Sequence, residues 1–171
     1  MKNVWKPLLL ASTLTMMLAG CSAPVAEQIE KGLVSAEMTF TSEAMETTDE
    51  VGDIQVYMPR GYEITDGSVD MNYVVTKGDD QYILFVNAIE EEDSQLHYDN
   101  LIEKLGDKVT EEQTYMNDGV FGFSAVVKHA ENEYELIVSN GGIKMSTMSG
   151  DKKIDQKLQA MMEIVRSVKV K

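Results

Sequence analysis

Few side chains in this sequence can do covalent, acid–base or metal chemistry. The chain has one cysteine, Cys21, and two histidines, His97 and His129, against 29 aspartates and glutamates. A catalyst needs a nucleophile with a base, a metal, or paired carboxylates in a cleft. Neither histidine sits in a recognisable signature, and Ser139 and Ser146 lack the G-x-S-x-G context of a nucleophile elbow. No spacing among the acids singles out a glycosidase-like pair. An EF-hand loop wants D-x-[DN]-x-[DN]-G with a glutamate at its twelfth position, and neither Asp66-Gly67-Ser68-Val69-Asp70 nor Asp79-Asp80 supplies it. The run Glu90-Glu91-Glu92-Asp93 has adjacent side chains that cannot all point at one ion. Met145, Met148 and Met161-Met162 carry soft sulfur that suits Cu(I), but no tight methionine run with histidine accompanies them, and methionine is an ordinary core filler. No catalytic residue, metal ligand or cofactor is assigned. What remains is the thiol of Cys21.

That thiol closes the run Leu18-Ala19-Gly20-Cys21, at the end of a short apolar stretch preceded by Lys2 and Lys6. A positive start, an apolar core and small residues before a cut are the layout of a signal peptide. Together these residues resemble the lipobox of bacterial lipoproteins. The resemblance implies cleavage before Cys21, an S-diacylglycerol and an N-acyl group on it, and a place on the extracytoplasmic side of the bacterial cell membrane. A transmembrane helix needs roughly 20 predominantly apolar residues, and this stretch is shorter, with Ser12, Thr13 and Thr15 inside it. An ordinary secretory cut near Ala19-Gly20 would leave an odd thiol in need of a partner. Two or more acyl chains hold a protein firmly where one does not.

Composition narrows the partners. The net charge is −14, and loss of residues 1–20 would remove two lysines and no acid. Nucleic acid and anionic lipid both call for clustered Lys and Arg, so neither is expected as a direct ligand. With no second cysteine, stability must come from packing rather than a disulfide, and 171 residues suffice for one core.

The polar segment 21–50, rich in Ser, Thr, Glu and Ala, reads as the acylated cysteine and a flexible tether, with at most a short helix around Val25–Ser35. The segment 51–171 reads as one α+β domain. Ile54, Val56 and Met58 alternate, as do Val69, Met71, Tyr73 and Val75. Tyr82 to Ile89 is almost continuously apolar, which predicts a strand buried on both faces. Tyr98, Leu101, Ile102 and Leu105 make the stripe of a helix that Asp93 or Ser94 would cap and Gly106 would end in a left-handed conformation. Four strands follow in a meander, the first two joined by the hairpin signal Asn117-Asp118-Gly119. A last helix over about Lys153–Val165 carries Ile154, Leu158, Met161, Met162 and Val165 on one face, and Val168 and Val170 suit a short terminal strand. The expected fold is an antiparallel sheet of about six to seven strands with two main amphipathic helices packed on it.

Three features resemble the PsbP/Mog1-like family over about residues 52–170. They are the strand end Pro59-Arg60-Gly61-Tyr62, the apolar strand Tyr82–Ile89 feeding an acidic turn and a helix, and the meander followed by a helix ending Ile164-Val165-Arg166-Ser167-Val168-Lys169. The family usually shows Trp where Tyr62 stands. The resemblance implies a binding module rather than a catalyst. The expectation is therefore a membrane-anchored, non-enzymatic envelope lipoprotein that binds a protein partner over a broad surface, with Arg60 and Tyr62 as its tentative contact residues. A small-molecule or ion-binding accessory of a transporter would instead show an enclosed Tyr-lined pocket. An envelope hydrolase would show a strongly perturbed carboxylate or histidine in a cleft.

Overall fold

The computed structural model describes residues 23–67 and 71–171. Cys21, the apolar leader before it and Val69 lie outside the described residues. Helix α1 spans Val25–Thr41, and strands β1 (Asp49–Val51), β2 (Ile54–Val56), β3 (Glu63–Asp66), β4 (Asn72–Lys77) and β5 (Asp80–Val86) follow. Then come α2 (Leu96–Leu105), the meander β6 (Val109–Asn117), β7 (Val120–Ala130), β8 (Glu133–Asn140) and β9 (Ile143–Ser149), helix α3 (Ile154–Ser167) and β10 (Lys169–Val170). The large sheet has seven antiparallel strands in the order β3-β4-β5-β9-β8-β7-β6, and β1-β2-β10 form a small one. The α+β architecture and the four-strand meander are those expected. The β6–β7 turn uses positive φ at both Asp118 (51°) and Gly119 (84°), as a tight two-residue hairpin requires.

Helices α1 and α3 cover the inner face of the sheet. Ile29, Leu33, Ala36 and Phe40 of α1 join Ile154, Leu158, Met161, Met162 and Val165 of α3 over Val75, Tyr82, Leu84, Val126, Leu136, Val138 and Met145. The two helices touch closely at Gly32, where an added Cβ would stand 2.7 Å from Leu158 Cδ1 and 3.1 Å from Asp155 Cα. Gln28 ties the ends together. Its amide nitrogen donates to Ala23 O (2.7 Å) and Asp151 O (3.0 Å), and its Oε1 accepts the Ile154 N–H (3.3 Å). Lys153, at the cap position of α3 with φ of 60°, makes no side-chain cap, so Gln28 satisfies a donor the helix start leaves open. A flexible tether was expected over 21–50. Its greater part, from Val25 to Thr41, is instead a structural helix, because the stripe begun by Ile29 and Leu33 continues through Ala36 and Phe40 into the core.

Other departures are local. Glu63–Asp66 is an additional edge strand, paired with β4 from Glu63↔Thr76 to Asp66↔Tyr73. Gln95, not Asp93 or Ser94, stands at the cap position of α2; the Ser94 Oγ instead accepts the Leu96 N–H at 3.3 Å. Gly106 is right-handed (φ −51°, ψ −40°) and leads into a short 3₁₀ turn rather than ending the helix. Strand β5 is buried on one face only. Tyr82, Leu84 and Val86 are buried, while Ile83 on the other side is 41% exposed.

Candidate functional site

On the outer face of the sheet, α2 covers only part of the surface. Its Leu101, with Tyr98 and Leu105, packs on Phe121, Phe123, Ala125 and Val127 of β7 and Ile137 of β8. Strand β7 is therefore sealed on both sides, whereas α2 reaches the outer face of β5 through His97 on Phe85 and leaves Ile83 and Met148 exposed. Register sets what lies there: Phe85 stands opposite Lys144, Ile83 opposite Ser146, and Ser146 opposite Ile137. The result is a groove of about 440 Å³ between α2 and the sheet, lined by Ile83, Phe85, Leu96, His97, Lys104 and Lys144 among others. A second concavity of about 390 Å³ adjoins it, sharing Ile83, Glu135 and Ser146 and extending to Met148. Leu96 and Met148 are 44% and 48% exposed.

The loop from β5 to α2 holds the groove's rim. Asn87 N–H donates to Gly142 O (3.1 Å), and Phe121 N–H donates to Glu92 O (2.9 Å). At Gly142 an added Cβ would stand 2.4 Å from Asn87 O, so the β8–β9 turn presses on that loop where only glycine fits. Ser94 Oγ donates to the Glu90 carboxylate at 2.6 Å. The acidic run is thus partly engaged in fixing its own loop.

His97 lies in the groove wall. Its ring meets Phe85 edge-on at 5.6 Å between centroids, and its Nε2 lies 3.2 Å from Gly142 O. Burial lowers its pKa, with Lys144 acting in the same direction, and the neutral ring with hydrogen on Nε2 satisfies the carbonyl. Neither Lys104 nor Lys144 makes an ion pair among the described residues, in a chain of net charge −14. The groove thus offers apolar surface and two unpaired cations. Such a combination suits a carboxylate beside a large apolar side chain.

The residues expected at the binding surface are elsewhere. Arg60 is exposed in the turn Pro59–Tyr62, which closes with Tyr62 N–H on Pro59 O (2.9 Å) and positive φ at Gly61 (82°). Tyr62 leaves little side-chain surface open to a partner: it is 7% exposed, packs on Tyr82 with centroids 5.6 Å apart, and carries Lys77 Nζ over its ring at 4.4 Å. Tyr73 is buried in the same core. His129 pairs with Glu135 at 3.1 Å, at the far end of the exposed strands from His97's partner Gly142. Among the described residues no group of three His, Cys, Asp or Glu side chains could hold a metal, and no helix is long and apolar enough to cross a membrane. The groove itself has a sequence signal, the alternation Ile83, Phe85 against Tyr82, Leu84, but not its position beside Lys144.

No family model and no curated protein matches the chain. Among solved structures it is similar to the solution structure of the cyanobacterial PsbP protein (CyanoP) from Synechocystis sp. PCC 6803. That likeness has 11% sequence identity and a TM-score of 0.39, and covers 70% of this chain and 87% of that one.

Proposed function

We propose that this chain is a lipid-anchored, extracytoplasmic and non-enzymatic binding module of the bacterial envelope, PsbP/Mog1-like in build, that takes a protein partner on the bare half of its outer sheet face. The observation that carries the reading is the groove beside α2, where Ile83, Leu96 and Met148 leave apolar surface uncovered next to two unpaired lysines. Contiguous exposed apolar surface with a polar rim is what interaction sites look like. An enclosed small-molecule site would bury its ligand on most sides, and this groove is open along the strands. The anchor rests on Leu18-Ala19-Gly20-Cys21. Only Ser22, Ala23 and Pro24 separate Cys21 from α1, so the domain would stand close to the membrane rather than on a tether.

The test is photo-crosslinking in native membranes, with a photoreactive side chain at position 83 or, as control, at exposed Lys152. A single protein captured from position 83 and not from position 152 is the expected result. No capture from 83 in protein that remains membrane-bound would overturn the partner reading. Separately, Cys21→Ala should release the protein from the membrane, and retention would overturn the anchor.

A further inference from the structure

A second surface lies at the opposite end of the sheet from β3. Strand β6 is an edge: it pairs with β7 alone, and no backbone hydrogen bond reaches it from any other segment among the described residues. In the tight hairpin that joins it to β7, Asn117↔Val120 is the pair closest to the turn. Hydrogen-bonded and non-bonded pairs alternate along an antiparallel ladder. If the closing pair is bonded, as in two-residue hairpins, then Met116, Thr114 and Glu112 turn their N–H and C=O groups outward.

Beside this edge runs a groove of about 790 Å³, between α1 and the β6 end of the inner face. Val25, Ile29, Leu33, Val34 and Tyr134 give it apolar walls. Glu30, Val34 and Glu37 follow helical spacing along one side of α1, and Val34 is 47% exposed. That side faces β6, because Gln113 Nε2 donates to Glu37 Oε2 at 2.6 Å. Glu30 and Glu111 line the groove with Lys128 as its one basic group; Glu27 is already paired with Lys31.

We propose that β6 takes an extended, basic segment of a partner protein as an eighth strand, whose apolar side chains at alternate positions seat against Val34 in the groove. An unpaired strand supplies backbone affinity, and pockets beside it read alternate side chains. Charge selects the class of partner. The added strand would run past Glu30, Glu111 and Glu112, on a chain of net charge −14. A second copy pairing edge to edge would set two acidic strands side by side, each carrying Glu111 and Glu112, which like-charge repulsion disfavours.

The experiment uses the full chain in zwitterionic nanodiscs, with amide hydrogen exchange as the readout. The probes are two nine-residue peptides with threonine at even positions and valine at positions 3, 5 and 7, one carrying lysine and the other glutamate at positions 1 and 9, so that the charged and apolar side chains share the groove face. Without a probe, the amides of Glu112, Thr114 and Met116 should exchange freely. With the lysine peptide at ten times its Kd they should slow by about tenfold, and with the glutamate peptide they should not. Glu30→Lys with Glu111→Lys, both at the surface, should abolish that slowing and leave the rest of the exchange pattern unchanged. Amides already protected without a probe would mean that the chain's own N-terminal residues or a second copy covers the edge, and would overturn the proposal. Equal effects of the two peptides, no effect of either, or protection away from β6 would also overturn it.

Discussion

The two faces of the seven-stranded sheet are made by the same strands and treated oppositely. On the inner face α1 and α3 lie side by side and bury one continuous core. On the outer face α2 builds a smaller separate cluster over the β7–β8 side and reaches β5 through His97 on Phe85. Strand β5 records the contrast within seven residues, with Tyr82, Leu84 and Val86 buried and Gln81 and Ile83 exposed. Apolar side chains on the inner face are explained by stability. Those left beside Lys104 and Lys144 are not, and this difference is the reason to look for a partner there.

The contrast breaks first at α1. If 25–41 were a tether, its deletion would leave the domain intact. As a core helix carrying Ile29, Leu33, Ala36 and Phe40, its loss should abolish cooperative unfolding in a urea titration followed by circular dichroism. Next comes a paired substitution. Phe40→Ala removes a fully buried ring stacked on Tyr115 at 5.2 Å, and should cost about 3–5 kcal/mol. Ile83→Ala, 41% exposed on the other face, should cost under about 1 kcal/mol in the same titration. Similar losses at the two sites would erase the distinction between the faces.

Gly32→Ala sharpens the inner face alone. Alanine favours a helix over glycine by about 1 kcal/mol, yet its Cβ would stand 3.1 Å from the Asp155 backbone as well as 2.7 Å from Leu158 Cδ1. A backbone atom cannot swing aside, so overpacking at about 1–3 kcal/mol should win and the variant should be destabilised. An unchanged or raised midpoint would show that α1 and α3 part easily.

The faces should also fail at opposite ends of the pH scale. Inside, burial pushes the Tyr115 hydroxyl up to about 12, and burial likewise raises Tyr82. The unfolded chain gives up those protons near pH 10, so stability falls as pH rises from about 10 towards 12. Outside, burial lowers the His97 pKa. The unfolded chain then binds that proton first, and stability contributed by the neutral ring falls as pH drops below about 6.5. Tyr115→Phe should make only the alkaline limb shallower, Tyr82 retaining part of it, and His97→Gln should flatten only the acid limb of midpoint against pH. Crossed effects would place one of these groups on the wrong face.

How much of this the sequence discloses depends on how local each signal is. Asn117-Asp118-Gly119 sets its hairpin from three adjacent residues, and the stripe from Ile154 to Val165 sets α3 from one helix's spacing. Helix α1 was half legible. Ile29 and Leu33 gave its start, but Gly32 and the Ser, Thr and Glu around them read as a spacer, and Gly32 makes sense only once Leu158 is seen against it. Edge strand β3 carries one apolar residue, Ile64, too little to alternate. Period two says that Ile83 and Tyr82 point opposite ways without saying which side a helix covers. Tyr62, beside a turn, read as surface because its partner Tyr82 is distant in sequence. The groove needs Phe85 opposite Lys144, a register that no local pattern contains.

The smallest effect on stability bears most directly on function. Ile83→Ser and Arg60→Ala each alter an exposed residue, and each should move the unfolding free energy by under about 1 kcal/mol. They should differ in capture from native membranes with the crosslinker moved to position 148, at the far end of the same exposed surface. Ile83→Ser removes apolar contact from the centre of the groove, where buried anchors carry most of an interface's affinity. Arg60 lies in a separate turn and lines neither part of that surface. Capture should therefore be lost with Ile83→Ser and kept with Arg60→Ala. The reverse outcome would move the interface to the Pro59–Tyr62 turn, and would mean that the bare half of the outer face is merely tolerated.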